Sequence, residues 1–193
     1  TIHKMTSLYD GYHFCEYAEG MFNPFSVLNV FDGYKFENYW FQTGTPTFLV
    51  KMLMDSNYDL RTLIDGVEAN AASFNEYRAE SRNPIPLIYQ SGYLTIKEYD
   101  PRFKTYQLAF PNDEVRYGFM NFLLPFYSNI PDNEQDFYIG KFVHELESGN
   151  INAFPTRLQA FFADIPYELN DQTERHYQTV FYLIFKLMGQ FTQ

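Results

Sequence analysis

The segment ERHYQTVFYLIFKLMG, residues 174–189, constrains this chain more than any other. Wound into a helix, it places Tyr177, Val180, Phe181, Leu183, Ile184, Phe185, Leu187 and Met188 over more of the circumference than one buried stripe covers. Such a helix must find apolar neighbours on several sides or drive association. Lipid is not the neighbour: the run 180–188 is broken by Lys186 and is too short to span a bilayer. The helix is expected to begin near Gln172, to stop at Gly189, and to be covered by self-association or by folding against the hairpin of the middle block.

With 193 residues, the chain can build one good core or two small domains. Its 21 Phe and 17 Tyr argue against disorder. A net charge of -10, from 14 basic and 24 acidic residues, gives no general attraction to nucleic acid or anionic membrane. One cysteine, Cys15, excludes an internal disulfide and suits a reducing compartment. No basic stretch precedes an apolar signal-like core, so the expected location is the cytoplasm.

Periodicity and turn residues divide the chain into blocks 1–66, 67–130 and 131–193. In the first, YDGYHFCEY reads as a short strand after an Asp10-Gly11 turn. Asn23 and Pro24 open a helix with Phe25, Leu28 and Phe31 at helical spacing, stopped by Asp32-Gly33. Thr45 and Pro46 repeat the device, with Phe48, Leu49, Met52 and Leu53 on one face. In the second block, a polar helix around 67–80 precedes a short helix at 87–90. Strands at 93–99 and 105–110 follow, joined by the turn DPRFK. Asn112 then caps a helix with Val115, Phe119, Phe122 and Phe126 on its inner stripe. Helix, hairpin and flanking helix suggest a winged-helix-like middle. The third block reads as helical throughout, with Gly149 closing its first helix. The fold class expected is α+β, predominantly helical.

Catalytic patterns are sparse. TGTPTF lacks the lysine of a phosphate-binding loop and reads as a proline-started helix. His3, His13, His144 and His176 are scattered. His13 and Cys15 share a face of the expected strand, but two ligands do not close a metal site. Cys15, among aromatics, reads as a buried inert thiol, and no G-x-S-x-G occurs. Arg102 and Lys104 in the DPRFK turn could meet a nucleic-acid backbone as a wing does, though Glu98 and Asp100 weaken the local field. Elsewhere the aromatics sit at core spacing with acidic residues between them, which is not the pattern of a base-stacking surface.

The strings YDGYHF, FNPFSVLN, YWFQTGTPTFL, PLIYQSGYLTIKEYD, YQLAFPNDEVR and LQAFFADIPYEL…ERHYQTVFYLIFKLMG occur in fixed order along essentially the whole chain. They resemble a bacterial family, common in Bacteroidetes, that joins an AAA-ATPase-like domain to a PD-(D/E)XK nuclease-like domain through a linking region. The resemblance implies that 1–66 is the end of the ATPase-like domain. It makes 67–130 the winged-helix-like link, and 131–193 a helical segment ending in the first helix of the nuclease-like fold. No Walker motif and no (D/E)-x-K is present in this sequence. It therefore looks like the middle of a larger protein: a non-catalytic connector with no cofactor, whose partners are the parent's other domains. The alternative is a winged-helix nucleic-acid-binding module serving the nuclease. Glu174 matches the metal-orienting Glu of that first nuclease helix. It also fits a capping box with Asp171, and alone it would hold no divalent ion.

Overall fold

Asn23 shows how closely local chemistry fixes the start of an element in the computed structural model. Its side-chain oxygen accepts from the amides of Phe25, at 3.0 Å, and Ser26, satisfying two orphan donors at the start of a helix with Pro24 in its first turn. The structure describes residues 2–43, 47–56, 58–71, 74, 83–128, 130–131, 134–165 and 174–191. They form an α+β, predominantly helical fold in two units, Thr1–Phe119 and Met120–Gln193.

The first unit opens with α1 (Ile2–Tyr9) and α2 (Pro24–Gly33). Trp40–Thr43 is a 3-10 turn, followed by α3 (Thr47–Asp55), α4 (Leu60–Asp65) and β1 (Val67–Asn70). Next come α5 (Ile85–Gln90), β2 (Thr95–Asp100) and β3 (Thr105–Ala109). The helix α6 (Asp113–Tyr127) starts in this unit, with Asn112 Oδ1 accepting from the Val115 amide at 3.1 Å.

The sheet is antiparallel with order β1-β3-β2; Val67 pairs with Leu108, and Thr95 with Ala109. A register shift between Ile96 and Glu98 marks a bulge at Lys97. Tyr9, Val30 and Tyr39 form a buried cluster with Met5, Leu8, Val27 and Phe36 against it.

Several expectations are corrected here. The strand over YDGYHFCEY shrinks to one bridge, Tyr12 to Met21, because the next amide, His13 N–H, donates to the Thr95 hydroxyl rather than to a strand. Cys15 is exposed, not buried. Residues 67–70 are a strand rather than the start of a helix, since the backbone of β3 pairs with them. Ala71 and Phe74 are helical, and the remainder of that expected helix lies outside the described residues.

On α2 the stripe Phe25, Leu28, Phe31 faces solvent, while Ser26 and Val30 are buried. The helix ends at Gly33, with Tyr34 in the left-handed region at φ 52. On α3 the buried face is Leu49, Val50 and Leu53, with Phe48 exposed. Thr45 and Pro46, expected to start α3, lie outside the described residues. On α6, Val115 and Phe119 are buried as expected, but Phe122 and Phe126 are only half-buried.

The second unit holds the end of α6, α7 (Gln135–Glu147), α8 (Ala153–Ala163), α9 (Glu174–Met188) and a closing 3-10 turn, Gly189–Phe191. Gly149, at φ 72, ends the α7 turn as its lack of a Cβ allows. α9 packs on α7 with Val180, Leu183, Ile184, Leu187 and Met188 buried. Tyr177, Phe181 and Phe185 lie beside that face and are exposed; Phe154 of α8 meets Phe185 at 5.8 Å, and Phe162 meets Tyr177 at 5.6 Å. The all-round burial expected of this helix is therefore corrected: it buries one face, and Glu174, Arg175, Tyr177, Gln178, Phe181 and Phe185 are exposed, because α7 covers only the 176–180–183–187 side. Gln172 and Asp171 lie outside the described residues.

Candidate functional site

Three places answer to the expected sites, and a fourth was not foreseen. The DPRFK turn joins β2 to β3, with Lys104 at φ 54. Arg102 is committed to Asp100: its backbone amide donates to Oδ1 at 2.8 Å and its guanidinium to Oδ2 at 3.0 Å. The guanidinium also lies 5.2 Å from the centre of the Phe103 ring. That pairing holds the Asp100 carboxyl below its usual range. Glu68 and Glu98 border the same hollow as Arg102, so this end of the hairpin carries mixed charge.

Glu174 is exposed at the start of α9, and its carboxylate accepts from Gln178 at 2.8 Å. Among the described residues, no three His, Cys, Asp or Glu stand where they could share a metal ion. His13 and Cys15 are therefore not brought into a cluster.

The unforeseen place is a cleft of about 500 Å³ in the first unit. Its lining comes from chain segments 12–14 and 21–24, from Trp40, and from Tyr89, Gln90, Gly92, Leu94 and Thr95. Tyr12 and Trp40 lie 5.8 Å apart at 39°, and Tyr12 stacks on Phe14 at 6.3 Å. Gly92, at φ 79, lets Trp40 close on the backbone; a Cβ there would stand 3.2 Å from the indole. The Thr95 hydroxyl donates to His13 O at 2.8 Å, tying the start of β2 to the 12–14 segment.

Beside the cleft sits the residue that sequence reading missed. Glu114, two positions after the Asn112 cap of α6, is wholly buried. Its Oε1 accepts from the Tyr39 amide at 2.7 Å and the Trp40 amide at 3.0 Å, and Ser26 donates to Oε2 at 2.8 Å. This carboxylate positions Trp40 and holds α2. An acidic residue in the first helical turn reads as a favourable dipole partner on the surface, so nothing in the pattern signals burial.

No family model matches the chain, and no solved structure matches it. It is similar to an uncharacterized protein in the vnfD 5′ region of Azotobacter chroococcum mcd 1, 31% identical over 196 residues and covering 96% of this chain. The match occupies 37% of that protein, so the chain spans little more than a third of the length of the curated relative it matches.

Proposed function

We propose that this chain is a non-catalytic connector that positions an ATPase-like and a nuclease-like module of a larger protein. The order α4, β1, α5, β2, β3, with its β1-β3-β2 sheet, supports a winged-helix-like reading of the middle. The observation that carries the proposal is α5. In the position where a winged helix would read DNA, Ile85, Pro86 and Ile88 are buried and no basic residue is present. A helix used in that way serves packing, not base readout. Leu28 and Phe31 on α2, 68% and 63% exposed, offer apolar surface to a protein neighbour. The relative's greater length leaves room for further modules. In this reading the protein works in the cytoplasm. Among the described residues no helix is long and apolar enough to cross a membrane. Self-association would use the partly exposed Tyr177, Phe181 and Phe185.

The exposed tip Arg102-Phe103-Lys104 favours the second reading, a nucleic-acid-binding wing. DNA affinity separates these two readings, and a catalysis assay tests what they share. Purified protein with magnesium or manganese is expected to show no nuclease activity and no ATP hydrolysis. Its affinity for duplex DNA at physiological salt should be no tighter than about 10⁻⁵ M. Metal-dependent cleavage above a Glu174→Ala control would overturn the connector reading. Sub-micromolar DNA affinity weakened by Arg102→Glu would establish the wing instead.

A further inference from the structure

The aromatic cleft of the first unit has the attributes of a small-molecule site. Its volume of about 500 Å³ lies within the range of ligand pockets, which are lined by apolar and aromatic groups with a few fixed polar ones. Burial is graded across it: Tyr12, Leu94 and Thr95 are buried, while Phe14, Met21 and Phe22 are 68%, 52% and 43% exposed at the rim. Large apolar side chains left in water around a concave surface gain from an occupant.

The polar groups are more telling. Tyr12 OH, His13 Nδ1 and Asn23 Nδ2 are buried without a hydrogen-bond partner, and all three residues line the cleft. Tyr12 and Asn23 are themselves only 8% and 5% exposed. Orphaned buried groups are uncommon in folded proteins and require a reason. For Asn23 the orientation of the amide is set, because Oδ1 caps α2; Nδ2 is left as a donor seeking an acceptor. Tyr12, His13 and Asn23 are all cleft-lining residues, and small side-chain adjustments commonly accompany binding. No Asp, Glu, Lys or Arg lines the cleft, and the protein's net charge is -10.

We infer that the cleft binds an uncharged planar heteroaromatic small molecule. Its ring lies against Tyr12 and Trp40, and its ring nitrogen or carbonyl oxygen accepts from Asn23. Aromatic walls select a flat ring, the amide donor selects an acceptor on it, and the absence of cationic side chains excludes an anion.

Trp40 is the only tryptophan in the chain, so its emission reports on this cleft. Nicotinamide, theophylline and thymidine would be titrated against the protein, with p-cresol as a ring that lacks a heteroatom. At least one of the three is expected to give a saturable change in emission with a dissociation constant below about 1 mM. Phe14→Ala plus Phe22→Ala removes two exposed rings at the rim, one of them stacked on Tyr12, and should weaken that binding at least fivefold with unchanged circular dichroism. Asn23→Asp keeps the cap acceptor but replaces the amide donor, and should weaken it about tenfold. Linear, collisional quenching by all three, equal in the wild type and the rim variant, would overturn the inference. Tighter binding of p-cresol than of all three would also overturn it, in favour of a tyrosine side chain from a protein partner.

Discussion

The hydroxyl of Ser26 donates to the carboxylate of Glu114 at 2.8 Å, across 88 residues of sequence. With the Tyr39 and Trp40 amides on the same carboxylate, one buried side chain joins α2, the 3-10 turn and α6. Glu114→Ala would leave a hydroxyl and two amides without an acceptor. Since each buried orphan costs about 1–3 kcal/mol, a loss of roughly 3–5 kcal/mol is expected. Glu114→Gln should cost less than about 1 kcal/mol, because its oxygen can still accept both amides and its amide can donate to Ser26. Urea unfolding followed by tryptophan emission would measure both. Equal losses in the two variants would contradict this account.

The same residue predicts a pH dependence. Burial pushes the Glu114 carboxyl above its ordinary value of 4.5, against the opposing pull of Ser26 and the Trp40 and Tyr39 amides. A raised carboxyl pKa means that the folded protein holds the proton more tightly than the unfolded chain does. Its contribution is therefore fully present below 4.5 and declines as pH rises through the folded value. Glu114→Gln removes this contribution, so its stability relative to wild type should improve between acidic and neutral pH. Parallel unfolding curves across that window would show it.

Gly11 sits at φ 100, and a Cβ there would run into the carbonyl oxygen of Pro111 and approach Lys97 Nζ at 3.2 Å. That ammonium donates to Gly11 O at 3.1 Å and Pro111 O at 2.8 Å. Gly11→Ala should therefore cost at least about 2 kcal/mol, through both strain and displacement of Lys97. Gly140, with nothing within 4 Å of a Cβ and set inside α7, is the control: Gly140→Ala should stabilise by about 0.5–1 kcal/mol. Thermal melts of the two variants should move in opposite directions.

In the second unit Arg157 on α8 pairs with Glu145 on α7, whose side chain is 10% exposed and whose other oxygen has no partner. Arg157→Ala strands that charge, and a loss of about 2 kcal/mol is expected, reduced from the fully buried case because Arg157 is 37% exposed. Arg157→Met with Glu145→Leu should recover most of it, since apolar replacement of such a pair is often neutral. A double-mutant cycle by chemical denaturation would measure the coupling.

Local chemistry alone determined a good deal of this protein. Asn23 and Asn112 announce their helices because a side-chain oxygen followed by helix-forming residues satisfies free amides wherever it occurs. The hairpin of β2 and β3 was legible for the same reason: alternating residues flank a turn that Asp100 closes on the Arg102 amide. The apolar run of α9 was legible as a helix too, but its expected cover on several sides was not: one face is buried, and Tyr177, Phe181 and Phe185 stay exposed.

Tertiary structure decided which faces turned inward. Phe25, Leu28 and Phe31 are the more apolar stripe of α2, yet Ser26 and Val30 are buried, because Glu114 and the Tyr9–Tyr39 cluster lie on that side. Val67–Asn70 became a strand because β3 offered a free backbone edge, a long-range partner that no local window contains. The aromatic cleft was hidden for a related reason. Its walls come from positions 12–24, 40 and 89–95, and only folding, which carries no sequence period of its own, brings them together.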